Sequence, residues 1–188
     1  MAQQLTMPDD EQERRAKAIK ALSLGLLGMM MIAEILTIVL WAINSSYPAV
    51  PITIVLIVVM LVSVMAYWLV KVGRVRLAGS LFVIGLLLES AIITPMFGGF
   101  AGPMAITYLF SILVAGIVIG ARAGYLVATL AVALYLAMIP VEQAGILPYI
   151  LEPAAPAPVI HSVTVAVRAI FFYLVAFLSW FASSRLNQ

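Results

Sequence analysis

The sequence predicts an all-α membrane protein: six transmembrane helices paired as three helical hairpins, with both termini cytoplasmic. Three observations predict it. Of 188 residues, 65% are hydrophobic and only 10% are charged, and the mean hydropathy is +1.18, a balance that excludes a soluble globule. The apolar residues gather into six stretches, roughly 21–43, 49–70, 77–97, 104–120, 124–142 and 159–182. Most are about 20 residues long, which at 1.5 Å per residue crosses a hydrocarbon core of about 30 Å. The cations alternate between links. Arg14, Arg15, Lys17 and Lys20 precede the first stretch, Lys71, Arg74 and Arg76 follow the second, Arg122 follows the fourth, and Arg185 follows the sixth. The other links hold no cation, and Lys and Arg collect in short cytoplasmic loops. The localisation expected from this bias is a cell inner membrane, crossed by multiple passes.

Taken in order, residues 1–20 form a charged cytoplasmic arm, 21–183 the transmembrane domain and 184–188 a short tail. In the arm, Met7-Pro8-Asp9-Asp10-Glu11 has the proline and acids favoured at a helix start, so a charged helix is expected from about residue 8, lying along the inner surface or running into the first span. The apolar run behind it is too long for the core of a cleaved signal peptide. Ser45-Ser46-Tyr47-Pro48-Ala49-Val50-Pro51 is a tight outer turn, as is Gly98-Gly99-Phe100-Ala101-Gly102-Pro103. Short links make consecutive helices neighbours. The fourth stretch carries Gly116 and Gly120 at GxxxG spacing, with Gly124 one step further. Small residues so spaced let helix backbones approach closely, within the domain or across a dimer face. Gly120-Ala121-Arg122-Ala123-Gly124 is an inner turn. The fifth link holds Pro148, Pro153, Pro156 and Pro158, and proline's missing donor and fixed φ predict an extended or broken segment. Trp41, Trp68 and Trp180 fall near span ends, where aromatic belts form.

Composition also limits the chemistry. Without cysteine there is no disulfide, no thiolate nucleophile and no Cys-based metal site. A single histidine argues against zinc or haem ligation, so no cofactor is expected. The arm's cations are balanced by Asp9, Asp10, Glu11 and Glu13, which argues against a nucleic-acid face. HExxH, GxSxG, GxxxxGK[ST] and helix-opening GxGxxG are all absent from the sequence. No enzymatic activity is expected.

The informative residues are the ionisable ones inside the spans. Glu34 lies in the first, Glu89 in the third and Arg168 in the sixth. Counted from each span's outer end, all three lie roughly 12–15 Å deep. A lone charge at the bilayer centre costs about 2.5–3.5 kcal/mol on insertion scales, and a guanidinium against carboxylates offsets part of that. The expectation is therefore that spans one, three and six pack together, with Arg168 bonded to Glu89, Glu34 or both. Such a cluster serves as a structural clamp, as part of an outer-side pocket with Ser90, Thr94, Tyr108, His161 and Thr164, or as part of a proton or ion path.

From Trp68 onward the order of motifs is specific enough to compare. Lys71-Val72-Gly73-Arg74-Val75-Arg76-Leu77-Ala78-Gly79 opens span three and Phe97-Gly98-Gly99-Phe100-Ala101-Gly102-Pro103 closes it. Tyr108 follows, then Leu113-Val114-Ala115-Gly116-Ile117-Val118-Ile119-Gly120-Ala121-Arg122-Ala123-Gly124 and Val141-Glu142-Gln143-Ala144-Gly145-Ile146-Leu147-Pro148. This order resembles the N-terminal six-helix membrane module that precedes PAS, histidine-kinase or nucleotide-cyclase output domains in bacterial signalling proteins. The resemblance implies a sensory, signal-input domain, dimeric, that passes its state through span six. The residues after span six, Ser183-Ser184-Arg185-Leu186-Asn187-Gln188, lack the charged linker of that family, so a partner membrane or signalling protein is expected to carry the output. Membrane lipids are expected partners and nucleic acid is not. Two other classes fit the composition: an accessory structural subunit of a respiratory or photosynthetic complex, and the substrate-capturing membrane component of a vitamin-type importer.

Overall fold

The computed structural model describes residues 9–45, 47–97, 104, 106–144 and 158–185; the side chains of 9–11, 141–143, 158–165 and 182–185 lie outside that description. Among the described residues six helices follow one another: α1 Asp9–Ile43, α2 Ala49–Lys71, α3 Val75–Met96, α4 Ile106–Val118, α5 Ala121–Gln143 and α6 Pro158–Arg185. Each packs on its neighbour in sequence, as the short links require. Beyond that ladder, α4 also packs on α6, α3 touches α5, and α1 reaches α3 and α4. The result is a bundle of α3 to α6 with the α1–α2 hairpin laid against its side.

Large apolar side chains point outward all round the bundle. Ile32, Leu36, Ile54, Leu61, Leu88, Leu126 and Ile170 are more than half exposed, as are Trp41 and Trp68. Water penalises that surface and hydrocarbon does not. Among the described residues, four helices (α1, α2, α3 and α5) are long and apolar enough to cross a membrane. The protein is therefore a helical bundle of membrane-spanning type.

The fourth span departs from the sequence reading. The fourth apolar stretch, expected over 104–120, yields a helix of only 13 residues, which rises about 20 Å. Gly120 lies beyond its end, at φ +131°, a backbone region that side chains with a Cβ rarely enter. It shapes the α4–α5 turn and is not part of a helix-packing face. The charged helix expected from about residue 8, lying along the membrane surface or running into the first span, takes the second form: α1 runs unbroken from Asp9 into that span.

The same arm ties α1 to the α4–α5 turn. Arg15 donates from Nη1 to the Ile119 carbonyl at 2.6 Å, satisfying an oxygen at the negative end of α4. One turn further along α1, Ile19 is fully buried. It lies where Gly79 of α3 approaches Val118: a Cβ on Gly79 would come within 2.8 Å of the Val118 side chain.

Candidate functional site

The bundle interior combines small residues with three aromatic rings. Ala115, Ala128, Ala131 and Ala176 are fully buried and let α4, α5 and α6 approach closely. Gly116 is the tightest point. A Cβ added there would lie 2.8 Å from the Ser179 Cβ of α6, while a Cβ on Gly124 of α5 would lie 3.3 Å from the Gly116 Cα. The close-packing role expected of Gly116 is thus seen within the chain, with Ser179 and Gly124 as the partners.

Toward the N-terminal end of α4, Tyr108, Tyr135 and Phe172 form a triangle, one ring from each of α4, α5 and α6. Their centroids are 6.4, 5.7 and 6.2 Å apart, within the usual range for edge-to-face and tilted pairs. Buried hydroxyls from α3 and α4 lie beside this triangle. Ser90 and Ser111 face each other at 3.4 Å, and each also donates to a carbonyl one turn back in its own helix. Thr94 donates to the Ser90 carbonyl at 2.6 Å and stands next to the Tyr108 hydroxyl. The Tyr108 hydroxyl itself meets no hydrogen-bond partner, although the residue is 0% exposed. A buried group left in that state costs about 1–3 kcal/mol.

Arg168 belongs to the same region. Its Nη1 donates to the Tyr135 hydroxyl, and its guanidinium lies 5.2 Å from the centroid of the Tyr135 ring, a cation–π distance. A further α5–α6 contact joins Thr129 and Tyr173 through their hydroxyls at 3.0 Å.

The three ionisable residues are not brought together. Glu34 accepts a hydrogen bond from Thr53 of α2 at 2.9 Å, leaving its second carboxylate oxygen buried without a partner. Glu89 lies one turn beyond Gly85, on the face of α3 that meets Val62 of α2. Among the described residues no ion pair joins either carboxylate to Arg168, and α6 packs on α4 and α5, with no extensive contact to α1 or α3. Helix register supplies the reason. Ser90 is level with Ser111, and Tyr108 is level with Phe172, which puts Arg168 about 12 Å further along the bundle than Glu89. Counting depth from each span's end assumes that the ends are flush, and α3 and α6 are staggered.

Of the expected outer-side pocket, Ser90, Thr94 and Tyr108 do converge. His161 and Thr164 lie on α6, and their side chains fall outside the described residues. Tyr135, Ser111 and Phe172 were not anticipated. Tyr135 carries a readable signal: it lies about 12 Å from the Gln143 end of α5 and Arg168 about 15 Å from the Pro158 end of α6, so the depth argument applied to glutamates also selects this tyrosine. Comparison with known protein families, characterised proteins and solved structures gives no match.

Proposed function

We propose that the chain is a six-crossing inner-membrane module with both termini cytoplasmic. It acts as a sensor-like signal input, has no catalytic activity of its own, and works as a homo-oligomer or through a partner signalling protein. The observation that carries this reading is the polar and aromatic interior shared by four helices. Ser90, Thr94, Tyr108, Ser111, Tyr135 and Arg168 place hydrogen-bonding groups where lipid-facing helices meet. A lipid-exposed bundle gains nothing from such groups unless they hold one packing or favour one over another. A ligand that binds two helix arrangements with different affinity shifts their populations, and α6 carries the shift to the inner face. The Arg15 contact to the α4–α5 turn couples the cytoplasmic arm to the same helices.

A second reading, an accessory structural subunit, is favoured by one observation. The α1 face bearing Met29, Ile32, Leu36 and Val39 is exposed and apolar over several turns, a surface that suits neighbouring membrane chains as well as lipid.

The test is gentle purification from the native membrane, followed by native mass spectrometry. Recovery as a dimer, or with a kinase or cyclase chain, is the expected result. Stoichiometric recovery with many redox or pigment-binding chains overturns the sensory reading in favour of the second.

A further inference from the structure

We infer that the end of the bundle carrying Arg15, Arg76 and Arg122 is a binding site for an anionic phospholipid, its phosphodiester held by the guanidinium groups and its acyl chains lying on α3 and α5. This goes beyond the sensory reading, and it rests on the chain being a membrane module.

Charge is the first observation. Eight Lys and Arg lie before the apolar run of α1 or around the α2–α3 and α4–α5 turns, against four Asp and Glu, whereas the links at the opposite end of the bundle hold no cation. Of those acids Glu13 is taken by Lys17, two positions from Arg15 and therefore on the other face of α1. Packing is the second observation, because it gathers cations from three segments. Arg15 donates to the Ile119 carbonyl, and its Nη2 would stand 3.7 Å from a Cβ on Gly120. One turn along α1, Ile19 reaches Gly79 of α3, where Val118 and Ile119 also arrive. Arg76 lies one turn before Gly79, and Arg122 follows Gly120 by two residues; both side chains are exposed. A guanidinium carries several N–H donors, so the carbonyl bond does not exhaust Arg15, and the planar fork suits phosphate oxygens.

Depth names the anion. The 23 residues of α2 from Ala49 to Lys71 rise about 35 Å, enough to cross one hydrocarbon core and reach its borders. Lys71, and with it the start of α3, therefore stands at the level of phospholipid phosphates. Below Arg76 the same face of α3 continues through Ile84, and below Arg122 the same face of α5 continues through Leu126 and Leu130. All three are more than half exposed and offer acyl chains a bed directly beneath the cations. An acidic protein segment would match the charge and leave that bed unused. Basic clusters at the border of membrane helices recruit anionic lipids on these terms.

The purified full chain is titrated in detergent with dioleoylphosphatidylglycerol and with dioleoylphosphatidylcholine, and bound lipid is counted by native mass spectrometry. Phosphatidylglycerol is expected to bind about tenfold more tightly than phosphatidylcholine, with the gap narrowing as salt rises. Arg76→Gln and Arg122→Gln are each expected to weaken phosphatidylglycerol about threefold or more and to leave phosphatidylcholine unchanged. Lys17→Gln removes the same charge from the other face of α1 and should change neither. Equal affinity for the two lipids overturns the proposal and leaves this end to an acidic protein segment. A loss in Lys17→Gln equal to that in the arginine variants also overturns it, in favour of net charge alone. Inorganic phosphate that displaces phosphatidylglycerol at the same concentration assigns the site to the free ion and overturns the lipid. Should an arginine variant fail to fold, a photoreactive phosphatidylglycerol is photolysed on the wild-type chain. Label on residues 76–84 or 122–130 supports the site, and label confined to other segments overturns it. Selective binding by a chain that forms no dimer and captures no partner keeps the site and removes the signalling reading. A signalling complex that does not distinguish the two lipids does the reverse.

Discussion

Substituting Gly116 tests whether the three-helix junction sets the stability of the bundle. An alanine Cβ at this position would lie 2.8 Å from the Ser179 Cβ. The Ser179 Oγ would be closer still; ordinary carbon contacts fall at about 3.5–4.0 Å, so even with that hydroxyl rotated aside α6 must retreat by roughly 0.7–1.2 Å. Retreat by α4 toward α5 finds little room, because even a single added Cβ on Gly124 would lie 3.3 Å from the Gly116 Cα. Overpacking of this kind costs about 1–3 kcal/mol, of which alanine's better helix propensity returns up to about 1 kcal/mol. Gly116→Ala is therefore expected to lower stability by about 1–2 kcal/mol, measured by thermal or denaturant unfolding in micelles. Gly25→Ala and Gly28→Ala are the controls. Neither glycine has an atom within 4 Å of an added Cβ, and both variants are expected to be neutral or more stable. Ser179→Gly, made in the Gly116→Ala background, opens the space again and should recover about 1 kcal/mol of coupling in a double-mutant cycle. A Gly116→Ala protein as stable as wild type, or a cycle with no coupling, refutes the argument.

Three further outcomes are expected. Arg168→Met removes a charged donor from the Tyr135 hydroxyl and should cost about 1.5–3 kcal/mol; Tyr135→Phe then adds little. Recovery of that loss by Glu89→Gln would instead reveal an ion pair. Arg15→Ala frees the Ile119 carbonyl, with an expected loss of about 1 kcal/mol and faster amide exchange over residues 119–124; unchanged exchange there counts against the contact. In the arm, Lys17 holds the Glu13 carboxyl below its ordinary 4.5, by hydrogen bond first and charge second, and Glu13 holds Lys17 above its ordinary 10.5. Glu13's support of the helix is present above pH 4.5 and lost as pH falls through its depressed value. That of Lys17 is present below pH 10.5 and lost as pH rises through its raised value. Because both side chains are exposed, the readout is a carbon-13 titration of Glu13, whose midpoint should return to the ordinary value in Lys17→Ala; an unmoved midpoint rules the pairing out.

Helix number and order were legible in the sequence because apolar runs, polar links and turn residues are local signals, and the six elements fall where those signals lie. Gly116 was readable for the same reason: small residues at helical spacing announce close approach, though not which helix arrives. The links that depend on register were not readable. Arg168 was expected against Glu89, Glu34 or both from depth, but the depth at which a helix begins is set by packing. The short α4 and the stagger of α3 against α6 move those levels by more than a helical turn. Gly120 shows the same limit at single-residue scale. Its spacing marks a helix face, while its backbone conformation, read only in the fold, makes it a turn.

The unbroken α1 has a mechanical consequence. Its 35 residues make a rod of about 52 Å, held near one end by Arg15 against the α4–α5 turn and further along by Glu34 against Thr53. Between Asp9 and Glu34 the rod measures about 37 Å. Once the Arg15 contact is released, a tilt of about 10° pivoting at Glu34 would sweep the Asp9 end through roughly 6 Å, with no need for any residue in between to unwind. A stiff shaft of this kind converts a repacking of about 2 Å at the Ile43 end, beside α2, into a displacement two to three times larger at the charged Asp9 end.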